Sequence, residues 1–91
     1  MEPVIGVDVA KGFSVIQAFL KRSEPLGKAL NISHEKHGFE RLGEILEELK
    51  QQTGLSPIIV LEATGHYHRS LVSYLEREEW TDFIVNPLQA K

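Results

Sequence analysis

The sequence predicts a mixed α/β domain in which one sheet, part antiparallel and part parallel, carries helices packed against it. Three observations predict it. Strand-like segments rich in β-branched residues fill the first third of the chain, before any helical pattern begins. A long stretch with apolar residues at three- and four-residue spacing comes next. Two further short apolar runs, one on either side of a second helical pattern, complete the chain.

Each element has its own local reason. Residues 4–9, Val-Ile-Gly-Val-Asp-Val, form a β-branched run bounded by Pro3 and by Lys11-Gly12, and read as a strand. Residues 13–20 come after a short glycine-containing turn and predict an antiparallel hairpin. Glu24-Pro25-Leu26-Gly27 has turn chemistry, and residues 28–32 alternate as a half-exposed edge strand does. Ser33 is placed to cap a helix over about 36–52, whose buried stripe is Phe39, Leu42, Ile45, Leu46 and Leu49. Glu40, Glu44 and Glu48 give it a solvated acidic face, and Thr53-Gly54 stops it. Residues 57–62 run apolar up to Glu62, as expected of a strand covered on both faces. Thr64-Gly65 opens a second helix with Tyr67, Leu71, Tyr74 and Leu75 on one side, and 82–86 form a last strand stopped by Pro87.

The resulting order, β-β-β-α-β-α-β, restricts the topology. Three meandering antiparallel strands joined to two crossover-connected parallel ones put the first strand at the centre. The expected sheet order is 3-2-1-4-5 with strand 2 antiparallel, the ribonuclease-H-like arrangement. A ferredoxin-like fold would need a helix after the first strand, and Lys11-Gly12 leaves no room for one.

Composition narrows the function. The chain has 91 residues, 42% hydrophobic and 25% charged, which suits one small domain. It has no cysteine, which excludes disulfides, thiolate metal sites and a thiol nucleophile. No apolar run is long enough for a membrane span, and Met1-Glu2-Pro3 is unlike a signal peptide, so a cytoplasmic location is expected. Ten basic against 13 acidic residues, net −3, argue against strong nucleic-acid binding by these residues alone.

Two acids stand out against this background. Asp8 interrupts a strand of Val, Ile and Gly, where an unpaired carboxylate is expensive to bury. Glu62 ends the most apolar run of the chain. If the first and fourth strands are parallel neighbours, both acids reach the carboxyl edge of the sheet, where open α/β sheets place their ligands. Two adjacent carboxylates repel and favour a cation, and hard oxygen donors suit Mg²⁺ or Mn²⁺. A purely structural alternative has Asp8 accepting turn amides and Glu62 pairing with Lys11 or Arg69.

The residues flanking these acids bear on that choice. Ile5-Gly6-Val7-Asp8-Val9-Ala10-Lys11, then Leu61-Glu62-Ala63-Thr64-Gly65-His66-Tyr67-His68-Arg69, then Val85-Asn86-Pro87 resemble the amino-terminal part of the DEDD transposases. These RuvC-like insertion-sequence recombinases include the pilin-gene inverting recombinase. The resemblance spans nearly the whole chain; the Glu-Ala-Thr-Gly-x-Tyr stretch with the later Asn-Pro is its most specific part. It implies a ribonuclease-H fold whose four acids, Asp-Glu-Asp-Asp, hold metal for cleaving and joining DNA strands, with Asp8 the first acid and Glu62 the second. Two metals about 4 Å apart would orient a nucleophile and stabilise the leaving oxygen.

The resemblance also implies that the last two acids lie on a segment beyond Asn86-Pro87, and Asp82, which precedes the last strand, does not replace them. Residues 1–91 thus read as a truncated N-terminal portion of a catalytic domain, inactive alone and without the family's serine-bearing C-terminal domain. DNA is the implied partner, with a structured guide RNA in some members of the family. A fold without its last helix leaves apolar sheet surface uncovered, so self-association into a homo-oligomer is expected.

Smaller signals complete the reading. Lys11 can reach a phosphate as a point charge, or be a solvated turn lysine. Thr64 and Gly65 open a helix whose N–H groups favour an anion, as an ordinary cap also does. Tyr67 can stack on a base, although its spacing to Leu71 and Tyr74 favours core packing. Asn86 with Pro87 terminates a strand and can position the next segment near the acids. His34 and His37 stand three apart and His66 and His68 two apart, neither at the zinc-protease spacing. Two rival classes are a non-catalytic dimerisation module and an actin-like-fold phosphotransferase. The second is disfavoured because Asp8-Val9-Ala10-Lys11-Gly12-Phe13 lacks the hydroxyls that would hold phosphate.

Overall fold

In the computed structural model, residues 3–21, 24–62 and 66–85 are described. They form β1 (Val4–Val9), β2 (Phe13–Lys21), β3 (Glu24–Ser33), α1 (Lys36–Thr53), β4 (Ile58–Glu62), α2 (Arg69–Arg77) and β5 (Thr81–Val85). The sheet order is β3-β2-β1-β4-β5, as the sequence predicts. β1 pairs antiparallel with β2 and parallel with β4, and β5 lies parallel to β4. This mixed sheet with its two helices is the ribonuclease-H-like arrangement.

Side-chain alternation divides the sheet into two unlike faces. Ile5, Val7, Ile16, Ile32, Ile59 and Leu61 point to one face and are buried beneath Leu42, Leu46, Leu49, Leu71 and Leu75 of the helices. The hydrophobic stripe of α1 is the predicted one, and Glu40, Glu44 and Glu48 are exposed. Gly54 terminates α1 with φ 73°, a left-handed cap in which its N–H donates to the Lys50 carbonyl at 2.8 Å.

The opposite face carries Val4, Gly6, Val15, Phe19, Ile58, Val60 and Phe83, and no helix covers it among the described residues. Ile58 and Val60 are therefore only half-buried, which corrects the expectation that this strand is covered on both faces. Its near-continuous apolar run reflects a central position beside β1 and β5 more than two helical layers. The Phe19 ring partly roofs this face by lying over Gly6, where an added Cβ would stand 3.6 Å from it.

Other boundaries also shift. β3 begins at Glu24, so Pro25 and Gly27 lie within a strand and not in a turn. An edge strand tolerates both, because its register with β2 is irregular between Ile16 and Ala18 and again between Phe19 and Lys21. The N-cap of α1 is Glu35, with no side-chain cap. Ser33 lies too early to cap, and its hydroxyl hydrogen-bonds His37 Nε2 at 3.2 Å instead. α2 begins at Arg69, so Tyr67 precedes the helix and is 42% exposed, not core. β5 covers Thr81–Val85, one residue earlier than expected.

Candidate functional site

Parallel pairing of β1 with β4 puts Asp8 directly beside Glu62. The register is set from the other end, where the Ile58 N–H donates to the Pro3 carbonyl at 3.0 Å, so each later residue falls opposite its partner up to the two acids. Neighbouring strands lie about 4.8 Å apart, and in-register side chains of parallel strands leave the sheet on the same side. Continuing outward, Val15 adjoins Asp8 and Val85 adjoins Glu62, so the carboxylates are the centre of one transverse row with apolar neighbours.

Both acids are exposed. Neither has a hydrogen-bond or ion-pair partner among the described residues, where Glu35 pairs with His37 and Glu44 with Arg41. The structural alternative, Glu62 held by Lys11 or Arg69, therefore does not occur there. Gly6, Val7, Asp8, Val15, Gln17, Val60 and Glu62 line an open concavity of about 310 Å³ on the helix-free face. Gln17 is a lining residue that sequence reasoning missed; its place becomes legible once Gly6 is known to pair with it, two positions from Asp8. Its amide donates to the Gly27 carbonyl at 3.2 Å, tying β2 to the bulged edge strand.

Lys11 is exposed in the turn after β1, where the Ala10 N–H donates to the Phe13 carbonyl at 2.9 Å and Gly12 adopts φ 80°. The same turn is tied to the end of β3, because the His34 N–H donates to the Gly12 carbonyl at 3.0 Å. On the helix-covered side, buried Ser14 shares a 2.7 Å hydrogen bond between Oγ and His34 Nε2. Burial holds the His34 imidazole below its ordinary pKa. Tyr67 lies against His66 with ring centroids 4.9 Å apart. Thr64, Gly65 and Asn86 lie outside the described residues.

Two carboxylates in register, without a basic partner among the described residues, provide hard oxygen donors that fit part of a Mg²⁺ or Mn²⁺ coordination shell. They do not complete one. No cluster of three or more candidate ligands forms among the described residues. The histidine pairs contribute no such cluster either: His34 is engaged by Ser14 and His37 by Ser33.

Comparison with known proteins now bears on this arrangement. The profile of the transposase family of DEDD, IS110 type matches residues 5–91. The chain belongs to this family. Among solved structures it is similar to T. thermophilus RuvC in complex with a Holliday junction substrate, with TM-score 0.57 and 9% identity over 98% of this chain and 67% of that one. It is also similar to YeaZ from Pseudomonas aeruginosa, with TM-score 0.48 and 10% identity over 94% of this chain and 44% of that one. No curated protein matches significantly. At such identities the RuvC likeness concerns the fold, which is the RuvC-like, ribonuclease-H type of the DEDD transposases. No helix among the described residues is long and apolar enough to cross a membrane.

Proposed function

We propose that this chain is the N-terminal portion of a metal-dependent DNA transposase catalytic domain, with Asp8 and Glu62 as two of its four acidic ligands. The observation that supports this is the Asp8–Glu62 register pair, two exposed carboxylates side by side without a cation partner among the described residues. Mg²⁺ or Mn²⁺ bound there would polarise a phosphodiester and orient the attacking oxygen. Asp8, on the central strand, would be the shared ligand, and Glu62 its neighbour. Val15 and Val85 flank the two acids in the same row and offer no competing charge. Two further acids, on a segment after Asn86 and Pro87, would complete the site, so residues 1–91 alone are expected to be inactive.

Nucleic acid would approach from the helix-free face. Lys11 stands close after Asp8 in sequence and is free to reach a backbone phosphate. Tyr67, exposed after β4, would stack on a base, and Thr64, Gly65 and Asn86 are proposed as further contacts. The acidic face of α1 lies on the opposite side of the sheet, so its glutamates do not face DNA at the acid pair. DNA is the proposed substrate, and a guide RNA and a homo-oligomeric, cytoplasmic state belong to the same proposal.

The test is a Mn²⁺ titration followed by calorimetry on the wild type and on D8N and E62Q. Weak binding near the millimolar range, about −4 kcal/mol, is expected for the wild type and should vanish in both variants. Identical titrations in all three proteins would overturn the assignment.

A further inference from the structure

The sheet has two edge strands, and they are not equally defended. β3 carries the devices that discourage strand addition: Pro25, Lys28, a left-handed Gly27 at φ 72° and two register irregularities against β2. β5 has no proline, lysine, glycine or register irregularity, and Asp82 is its one charged residue. It is the regular five-residue strand Thr-Asp-Phe-Ile-Val, paired in unbroken parallel register with β4 on one side only among the described residues. Phe83 is 55% exposed and Ile84 49% exposed, so this edge presents apolar surface on both faces of the sheet at once. Scattered exposed apolar residues are ordinary; two adjacent ones on opposite faces of a regular edge with a single charge form a template for another strand.

We propose that β5 pairs antiparallel with β5 of a second copy of this chain, making one continuous ten-stranded sheet across a two-fold axis. The strand's own sequence selects that occupant. A two-fold axis perpendicular to the sheet imposes antiparallel pairing, and centring it on Phe83, the middle residue of β5, lets every residue of the strand pair. Phe83 then meets Phe83 of the second copy, an aromatic pair on the helix-free face. Thr81 falls opposite Val85, and Asp82 falls opposite Ile84, so the strand's single charge never meets its own image. Tyr74, Arg77 and the Glu76–Glu78–Glu79 group belong to α2 and the turn after it and do not enter this ladder. A contact of one short strand per protomer is small, and its dimer dissociates on dilution.

The pairing keeps both helix-free faces on the same side of the extended sheet. Five strand spacings separate β1 from its copy, so the two Asp8 positions lie about 24 Å apart across the strands. The inference stands independently of any metal at those acids.

Sedimentation equilibrium of the wild type, F83K and F83E, each alone and the two variants mixed, tests it, with circular dichroism confirming that each is folded. The wild type should dimerise reversibly, F83K and F83E alone should be monomers through like-charge repulsion, and their equimolar mixture should dimerise again. The chain has no native cysteine, so F83C adds a second readout. Cα atoms across the two-fold pair would lie about 5 Å apart, within disulfide reach, and F83C should oxidise to a covalent dimer far faster than K28C on the β3 edge. A wild type that stays monomeric near 1 mM, about −4 kcal/mol, would overturn the proposal. So would dimers that survive in F83K and F83E, a mixture that stays monomeric, or an F83C chain that links no faster than K28C.

Discussion

Replacing His34 by alanine probes a buried polar contact of the core. Ser14 is 1% exposed, and its hydroxyl is satisfied by the 2.7 Å hydrogen bond to His34 Nε2. Without the imidazole, that hydroxyl stays buried without this partner, a cost of about 1–3 kcal/mol. The imidazole also ends a stack of rings: it lies 6.2 Å from Phe39 at 22°, and Phe39 lies 5.1 Å from Tyr74 at 15°. Losing the terminal ring costs about 0.5–1 kcal/mol more. The expected total is about 1.5–4 kcal/mol, a large share of the stability of a domain this small. Ser14→Ala removes the hydroxyl together with its need for a partner and costs about 1 kcal/mol. The double variant should therefore be more stable than the sum of the single effects by about 1 kcal/mol. Urea unfolding followed by the fluorescence of Trp80, the single tryptophan, gives all three values. Additive effects within about 0.3–0.5 kcal/mol, or a H34A loss below that size, would refute the reasoning.

Three further outcomes are expected. Because burial lowers the His34 pKa from 6.5, the unfolded chain takes up the proton first as pH falls; wild-type stability should be full above 6.5 and decline below it, and urea midpoints measured across that range should show a smaller decline for H34A. Gly38→Ala would drive a Cβ into the Ser33 carbonyl, and because main chain cannot step aside cheaply the variant should lose about 1–3 kcal/mol in the same unfolding assay. Leu46→Ala, at a position with 0% exposure, should cost about 2–5 kcal/mol, whereas Glu44→Ala on the opposite helix face should stay within about 0.5 kcal/mol by thermal melting.

What the sequence discloses is what local chemistry dictates. The alternation through Val4–Val9, the stripe from Phe39 to Leu49 and the Thr53-Gly54 stop all rest on short-range patterns, and each is where it was expected. The sheet order follows from those elements because crossover rules leave few arrangements. The meeting of Asp8 and Glu62 is legible for the same reason, because those rules make β1 and β4 parallel neighbours. The misses have a common physical origin in tertiary context. Pro25 and Gly27 signal a turn anywhere except on a bulged edge. Tyr67 has helical spacing to Leu71 and Tyr74, but spacing cannot tell where the first turn of α2 begins. Val60 looks fully buried in sequence because apolar runs do not reveal how many layers will cover them. The Ser14–His34 contact joins β2 to the residue after β3, and nothing in either neighbourhood announces it.

The register of β1 and β4 has one more consequence. The chain divides naturally at the exposed segment Gly54-Leu55-Ser56, between α1 and β4. The half before it holds Asp8 on a three-stranded antiparallel meander with one helix, and the half after it holds Glu62 on a β-α-β unit. Neither half contains the acid pair; only their docking through the β1–β4 ladder creates it. A molecule split at this point would work as a coincidence detector, because the adjacency of the two carboxylates reports that both pieces have met in the correct register. A slip of a single residue in that ladder would send one acid through to the opposite face and silence the signal.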